Sequence, residues 1–250
     1  MKRSNRGLII TAIVLLAVIA VLLSGILLYA MFNDGDLSFH SGNKNQTVFD
    51  ESFDTHGVSK ITVHSSFGNI NIGHSSSDEI RIFTKDGDSR YFSAVCENGV
   101  ITVENKADKK RRANLKPVFA GRSVSSDIDI YLPENCVDKI EINSDFGNVD
   151  IDSLDNISLT ADCDCGNIEA DYIGGDFDLS TDMGNIGVDR INISKNSSAQ
   201  SSMGNIEIEN INEVRVEYET SMGDCDVKKN NSSSAVTLRA KTSMGDIEIG

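Results

Sequence analysis

The stretch SSMGNIEIEN, Ser201–Asn210, decides the fold, because the chain writes it repeatedly. It recurs as SSFGNINI around Gly68, SDFGNVDI around Gly147, CDCGNIEA around Gly166 and TDMGNIGV around Gly184. It returns as SMGDCDV around Gly223 and SMGDIEI around Gly245. From Gly147 onward the glycines, Gly204 included, stand 19, 18, 20, 19 and 22 residues apart. A period near 20 with this regularity is a solenoid signature, each repeat being one coil stacked on its neighbour. Inside a repeat the period is two. Val236, Leu238, Ala240, Thr242 and Met244 share one face, and so do Ile247 and Ile249. Ile140, Ile142, Ser144 and Phe146, then Val149 and Ile151, repeat the pattern. Such alternation reads as half-buried β-strand.

The corner between the two strands of a coil is a Gly–Asn or Gly–Asp pair. The pairs are Gly68–Asn69, Gly147–Asn148, Gly166–Asn167, Gly184–Asn185, Gly204–Asn205, Gly223–Asp224 and Gly245–Asp246. Glycine reaches positive φ without steric cost, and Asn or Asp tolerates left-handed geometry and bonds its own backbone. In a hairpin such a pair would reverse the chain. The fixed period argues instead for a coil that returns to the same place one rung higher.

Stacking the coils produces ladders. The residue before glycine reads Phe67, Phe146, Cys165, Met183, Met203, Met222, Met244. Two positions before that stand Ser65, Ser144, Cys163, Thr181, Ser201, Thr220 and Thr242. Just past the corner stand Ile70, Val149, Ile168, Ile186, Ile206, Cys225 and Ile247. Both apolar ladders are expected in the core. The hydroxyl ladder is expected to satisfy backbone groups at the corner. Between Gly68 and Gly147 the spacing is 79 residues, and only degenerate strands show: EIRIF from Glu79, GVITVEN from Gly99 and DIDIYLP from Asp127. Wider early coils with an insertion account for it. The expected fold is all-β: a single-domain parallel β-solenoid of ~20-residue coils over residues 49–250, with almost no helix.

Ahead of this domain lies GLIITAIVLLAVIAVLLSGILLYAMF, Gly7–Phe32, 26 residues without a charge. A helix of that length covers about 39 Å, more than the ~30 Å hydrocarbon core of a bilayer. Lys2, Arg3 and Arg6 precede it; Asn33, Asp34 and Asp36 follow. The segment is expected to be one transmembrane helix, with residues 1–6 a cytoplasmic tail, 33–48 a polar linker and the C-terminal domain outside the cell. A cleaved signal peptide is the alternative, and its apolar run is usually only about 7–15 residues. The whole chain has a formal net charge of −15. Beyond Phe32 it has 38 acidic and 20 basic residues, a net of −18. Such a surface repels nucleic acid.

The order of these motifs carries a resemblance. An apolar N-terminal segment, SSFGNINI, then DIDIYLP, then EINSDFGNVDI and serial GNI or GDI coils resemble the bacterial putative-adhesin family of β-strand-repeat domains. The likeness runs from about Phe49 to Gly250. It implies a membrane-anchored β-solenoid with no cofactor, and it supplies no catalytic residues.

Candidate chemistry is sparse. Cys163, Cys165 and Cys225 fall on ladder positions expected to face inward, as small apolar side chains and not disulfides. With Cys96 and Cys136 they make an odd total of five. His40, His56, His64 and His74 lack the spacing of a zinc site. Asp150, Asp152, Asp162 and Asp164 offer oxygen near the corners, but the glycine-rich calcium nonapeptide is missing. No metal, no cofactor and no catalytic group is therefore expected, and the chain is not expected to be an enzyme; a carbohydrate-active enzyme is the third choice. One segment inverts the charge. Asn105–Arg122 holds Lys106, Lys109, Lys110, Arg111, Arg112, Lys116 and Arg122 against Asp108 alone. It is a candidate docking loop for anionic envelope polymers or lipid headgroups, the alternative being a solvated insertion. The expected role is a non-catalytic cell-surface adhesin or envelope-binding scaffold. Its partners would be a cell-wall polymer or a cell-surface or membrane protein, with end-to-end self-association at an open final coil. An envelope-stress accessory acting on a membrane signalling partner is the runner-up.

Overall fold

A computed structural model describes residues 49–85, 89–106 and 127–250. The apolar segment 7–32, the tail before it and the linker 33–48 lie outside the described residues, as do six of the seven candidate docking-loop cations. Among the described residues no helix is long and apolar enough to cross a membrane. All described strands belong to one compact unit, Lys44–Asp108 with Val124–Gly250; the second unit, Met1–Asn43 with Lys109–Ser123, falls outside the description.

The first strands are β1 (Phe49–Asp54), β2 (Lys60–Ser65), β3 (Ile70–His74), β4 (Glu79–Thr84), β5 (Phe92–Glu97), β6 (Val100–Asn105) and β7 (Ile128–Leu132). One 3-10 turn, Ser89–Tyr91, is the only helical element among the described residues. Six strand pairs follow, each joined by a Gly–Asn or Gly–Asp corner. They are β8 (Lys139–Phe146) with β9 (Val149–Asp155), β10 (Ser158–Cys165) with β11 (Ile168–Gly174), and β12 (Phe177–Met183) with β13 (Ile186–Arg190). Then come β14 (Ser197–Met203) with β15 (Ile206–Asn210), β16 (Arg215–Met222) with β17 (Cys225–Val227), and β18 (Thr237–Met244) with β19 (Ile247–Ile249). The first strand of every coil enters one sheet and the second enters the other, giving a 9-stranded and a 10-stranded sheet.

Within the coils every pairing is parallel, and like residues stand beside like. Ile168 pairs with Val149 and Ile186, and Ile206 with Ile186 and Ile247. Ile70, Ile128, Val149, Ile168, Ile186, Ile206 and Ile247 are buried to 1% exposure or less. They face Ile61, Val63, Ile140, Ile142, Leu159 and Leu179 of the other sheet, also buried. Removal of this apolar surface from water drives the two sheets together.

Two expectations need correcting. The fold is not wholly parallel: β1 with β4, β4 with β7, and β5 with β6 are antiparallel. The cause for β5–β6 is local. Asn98 (φ 51°) and Gly99 (φ 79°) both take left-handed geometry, which is a two-residue hairpin turn. Nor do the coils stack in chain order. Along the sheets they run β6/β7, β2/β3, β8/β9, β10/β11, β12/β13, β14/β15, β18/β19, β16/β17, so the last two coils are exchanged at each end. At the C-terminal end the exchange uses the polar connection between β17 and β18. Its Asn230 accepts from the Val216 N–H and donates to the Val216 carbonyl, at 3.1 Å each, and its Lys229 Nζ donates to the Ile211 carbonyl at 2.8 Å. The C-terminal coil thus lies one rung inside, and the open end belongs to β16 and β17.

Candidate functional site: the corner edge

The corner edge is built by three internal ladders. First come the glycines, stacked so closely that no side chain fits. A Cβ on Gly166 would lie 2.0 Å from the Gly147 carbonyl oxygen, and one on Gly204 would lie 1.9 Å from that of Gly184. Next to them run the hydroxyls. Thr181 donates to the Gly166 carbonyl at 2.9 Å, Ser201 to Gly184 at 2.9 Å, Thr242 to Gly204 at 2.9 Å and Thr220 to Gly245 at 3.1 Å. Ser65 donates instead to the Phe67 carbonyl, at 3.2 Å. Cys163 takes the same position as a buried thiol, and the Ser144 hydroxyl there is buried with no partner.

The third ladder consists of the corner Asn and Asp residues. Each Oδ1 but the last accepts the backbone N–H of the corresponding residue one rung along. The line runs Asp127, Asn69, Asn148, Asn167, Asn185, Asn205, Asp246, Asp224, with every distance between 2.8 and 3.0 Å. It repeats the coil order of the sheets, and it brings Gly223–Asp224 beside Gly245–Asp246 rather than beside Gly204–Asn205.

Outside these ladders stands a column the sequence placed in the core. Phe146, Met183, Met203, Met244 and Met222 are 49, 48, 44, 42 and 61% exposed. Phe67 and Cys165 in the same column are half-buried. The expectation of a second apolar core ladder is therefore corrected. The hydroxyl residue already fills the inner corner, and the backbone turns the next side chain but one outward. The column is continuous: Phe146 pairs with Cys165, Cys165 with Met183, Met183 with Met203, Met203 with Met244 and Met244 with Met222. At its other end the Phe67 and Phe146 rings stack at 5.4 Å and 9°.

One rung beyond Phe67 the corner is replaced. The chain leaves the β6 side at Lys106, whose Nζ lies 2.5 Å from Glu104 Oε1, and returns at Asp127, which caps the Asn ladder. The cations Lys109, Lys110, Arg111, Arg112, Lys116 and Arg122 belong to the stretch between, outside the described residues.

The remaining candidates disperse. Asp150 and Asp152 lie on β9 and Asp162 and Asp164 on β10, in different sheets, so the four oxygens do not converge. Among the described residues no group of three or more His, Cys, Asp or Glu could hold a metal ion. Of the three ladder cysteines only Cys163 is buried; Cys165 is half-buried and Cys225 exposed, which corrects their inward placement. Burial, then Asp162 and Asp164, push the Cys163 thiol up to about 12. All five cysteines are free thiols. His56 and His64 are exposed, and His74 ends β3 exposed.

A feature that residue-by-residue reading missed is the acidic face of the 10-stranded sheet. In register along it stand Asp129, Asn71, Asp150, Glu169, Gly187, Glu207, Glu248 and Asp226. Burial first, then Glu169 and Asp127, raise the Asp150 carboxyl above its ordinary value. Lys85 approaches Asp129 at 3.4 Å, and Lys228 pairs with Glu248. The period of two held this signal, because outward positions on second strands are nearly always Asp, Glu or Asn.

The Toastrack DUF4097 family model matches residues 58–250. No curated protein matches. Among solved structures, a putative adhesin from Bacteroides fragilis is 17% identical, covering 81% of this chain and 96% of its own, with a TM-score of 0.43. A putative cell adhesion protein from Clostridium sporogenes is 11% identical, covering 80% and 98%, with a TM-score of 0.38. A putative lipid binding protein from Parabacteroides distasonis is 12% identical, covering 83% and 95%, with a TM-score of 0.37.

Proposed function

From the premise that this chain belongs to the Toastrack DUF4097 family, we propose that it is a non-catalytic, membrane-anchored binding scaffold of the cell surface that contacts an anionic envelope polymer. The corner edge carries this reading. An exposed apolar column and the two ends of a strongly basic insertion occupy the same edge of the solenoid. The coils need neither for their core. The Lys and Arg residues that the sequence writes into that insertion engage phosphate or carboxylate groups, at about 1 kcal/mol for each near a charged surface. The acidic face of the 10-stranded sheet repels the same polymer.

The test uses residues 33–250 released without the apolar segment, sedimented with purified cell envelopes across a salt series. Binding that weakens with salt is expected, and it should be lost when the seven basic residues from Lys106 to Arg122 are changed to Gln. Equal binding by both forms, or none by either, overturns the proposal.

A further inference from the structure

The column at the corner edge has a chemical property that docking does not require. After residue 31 the chain contains four methionines, Met183, Met203, Met222 and Met244, and all stand in this one column. Elsewhere the buried apolar positions of the described residues are Ile, Val, Leu, Phe and Ala, with Cys163, and none is Met. With Cys165, the methionines form five consecutive rungs of sulfur side chains in the order Cys165, Met183, Met203, Met244, Met222. Chain order would have placed Met222 between Met203 and Met244; the exchange of the last two coils keeps the run unbroken either way.

We propose that this sulfur column binds a soft monovalent cation, Cu(I), between sulfurs of adjacent rungs. Thioether and thiol sulfur are soft donors that select Cu(I) over the hard cations an acidic surface would otherwise collect. Rungs are about 4.8 Å apart, so a cation midway between two sulfurs lies about 2.4 Å from each. That is close to the ~2.3 Å of a zinc–sulfur bond. Methionine's three rotatable bonds let each sulfur adjust to the ion. The side chains are exposed, so ligation needs no opening of the core. Carboxylates stand close by in sequence on both sides: Asp164 and Asp182 immediately precede Cys165 and Met183, while Asp246 and Asp224 follow Met244 and Met222 by two residues. Their field favours a cation over neutral ligands. Binding is a simple association with no change of oxidation state. It stands apart from envelope docking, since a purely apolar ridge would work as well with leucine.

The full chain in detergent micelles, labelled with carbon-13 at its methionine methyls, is titrated with Ag(I), a redox-inert stand-in for Cu(I). The methyl signals of Met183, Met203 and Met244 should shift, with Met222 following, while those of Met1 and Met31 stay. In parallel, the chain should withdraw Cu(I) from a chromophoric chelator under reducing, oxygen-free conditions. A Met183→Leu, Met203→Leu, Met244→Leu variant keeps the apolar ridge and should lose most of that capture; Cys165→Ser should retain it in part. Unmoved methyl signals at stoichiometric Ag(I), or equal capture by the leucine variant, overturn the proposal. If the leucine variant fails to fold, the methyl shifts of the unsubstituted chain decide alone.

Discussion

At the scale of single residues, the corner is governed by what lies under each glycine. A Cβ on Gly184 would meet the Gly166 carbonyl oxygen at 2.1 Å and its carbon at 2.6 Å, and both atoms are backbone locked between rungs. Gly184→Ala should therefore cost about 3 kcal/mol or more, read as a fall in the denaturation midpoint. Gly187, three residues on, is the control. The nearest atom to its Cβ would be Glu169 Cγ at 4.0 Å, so Gly187→Ala should be neutral or stabilise by about 0.5 kcal/mol. The hydroxyl ladder behaves similarly. Thr181→Val leaves the Gly166 carbonyl without its donor and should cost about 1 kcal/mol, whereas Ser144→Ala removes a buried hydroxyl that has no partner and should cost little. Cys163 brings a pH dependence. Its folded thiol is raised to about 12 from an ordinary value of 9.0. The fold thus favours the neutral form, and that contribution is complete below the unfolded value and lost as pH rises through the folded one. Denaturation midpoints of the chain and of Cys163→Ala, compared from neutral pH upward, should converge above about pH 9.

At the scale of elements, the Asn ladder ties each corner to the next. Asn167→Ala removes the acceptor of the Asn185 N–H, which lies 2.9 Å away, and should cost about 1–2 kcal/mol. The same change at Asp224, the last member in the stack, removes no acceptor used by a further corner and should cost less. Strands and corners were legible because two independent periods, two and about 20, coincide on Gly–Asn pairs. The facing of the sulfur column was not legible. Strict alternation puts Thr181 and Met183 on one face, yet Thr181 is 1% exposed and Met183 48%. Parity ends at the hydroxyl, where the inner corner is full, and a count by twos carries no mark of that. The β5–β6 hairpin could have been read: Asn98–Gly99 between alternating strands is its local signal. The ~20-residue glycine period does not extend to it.

At the scale of the folded body, the exchanged coils set where stability resides. Glycine spacing alone cannot reveal the order, because every ladder position accepts the same residue type whichever rung lies beside it. The 22-residue spacing between Gly223 and Gly245, and the polar run KKNNSSSA between β17 and β18, are the only marks. Their effect is that β18 pairs on both sides, with β14 and β16, and β19 pairs with β15 and β17. β16 and β17 have a partner on one side only. β17 is three residues long and β16 carries Arg215, Glu217 and Glu219 on its outer face, and both traits blunt an edge against strand addition. Local opening free energy follows pairing and burial rather than distance from a chain end. Amide hydrogen exchange should therefore rank residues 237–249, the C-terminal coil, as better protected than residues 215–227, although a chain-order stack would give the reverse. The amides that separate the two orders most cleanly are Leu238, Ala240 and Thr242 against Tyr218 and Thr220. The first three lie in a strand flanked on both sides; the other two lie in the edge strand. Slower exchange in the edge set would mean that the chain stacks in sequence order and that Met222, not Met244, stands beside Met203.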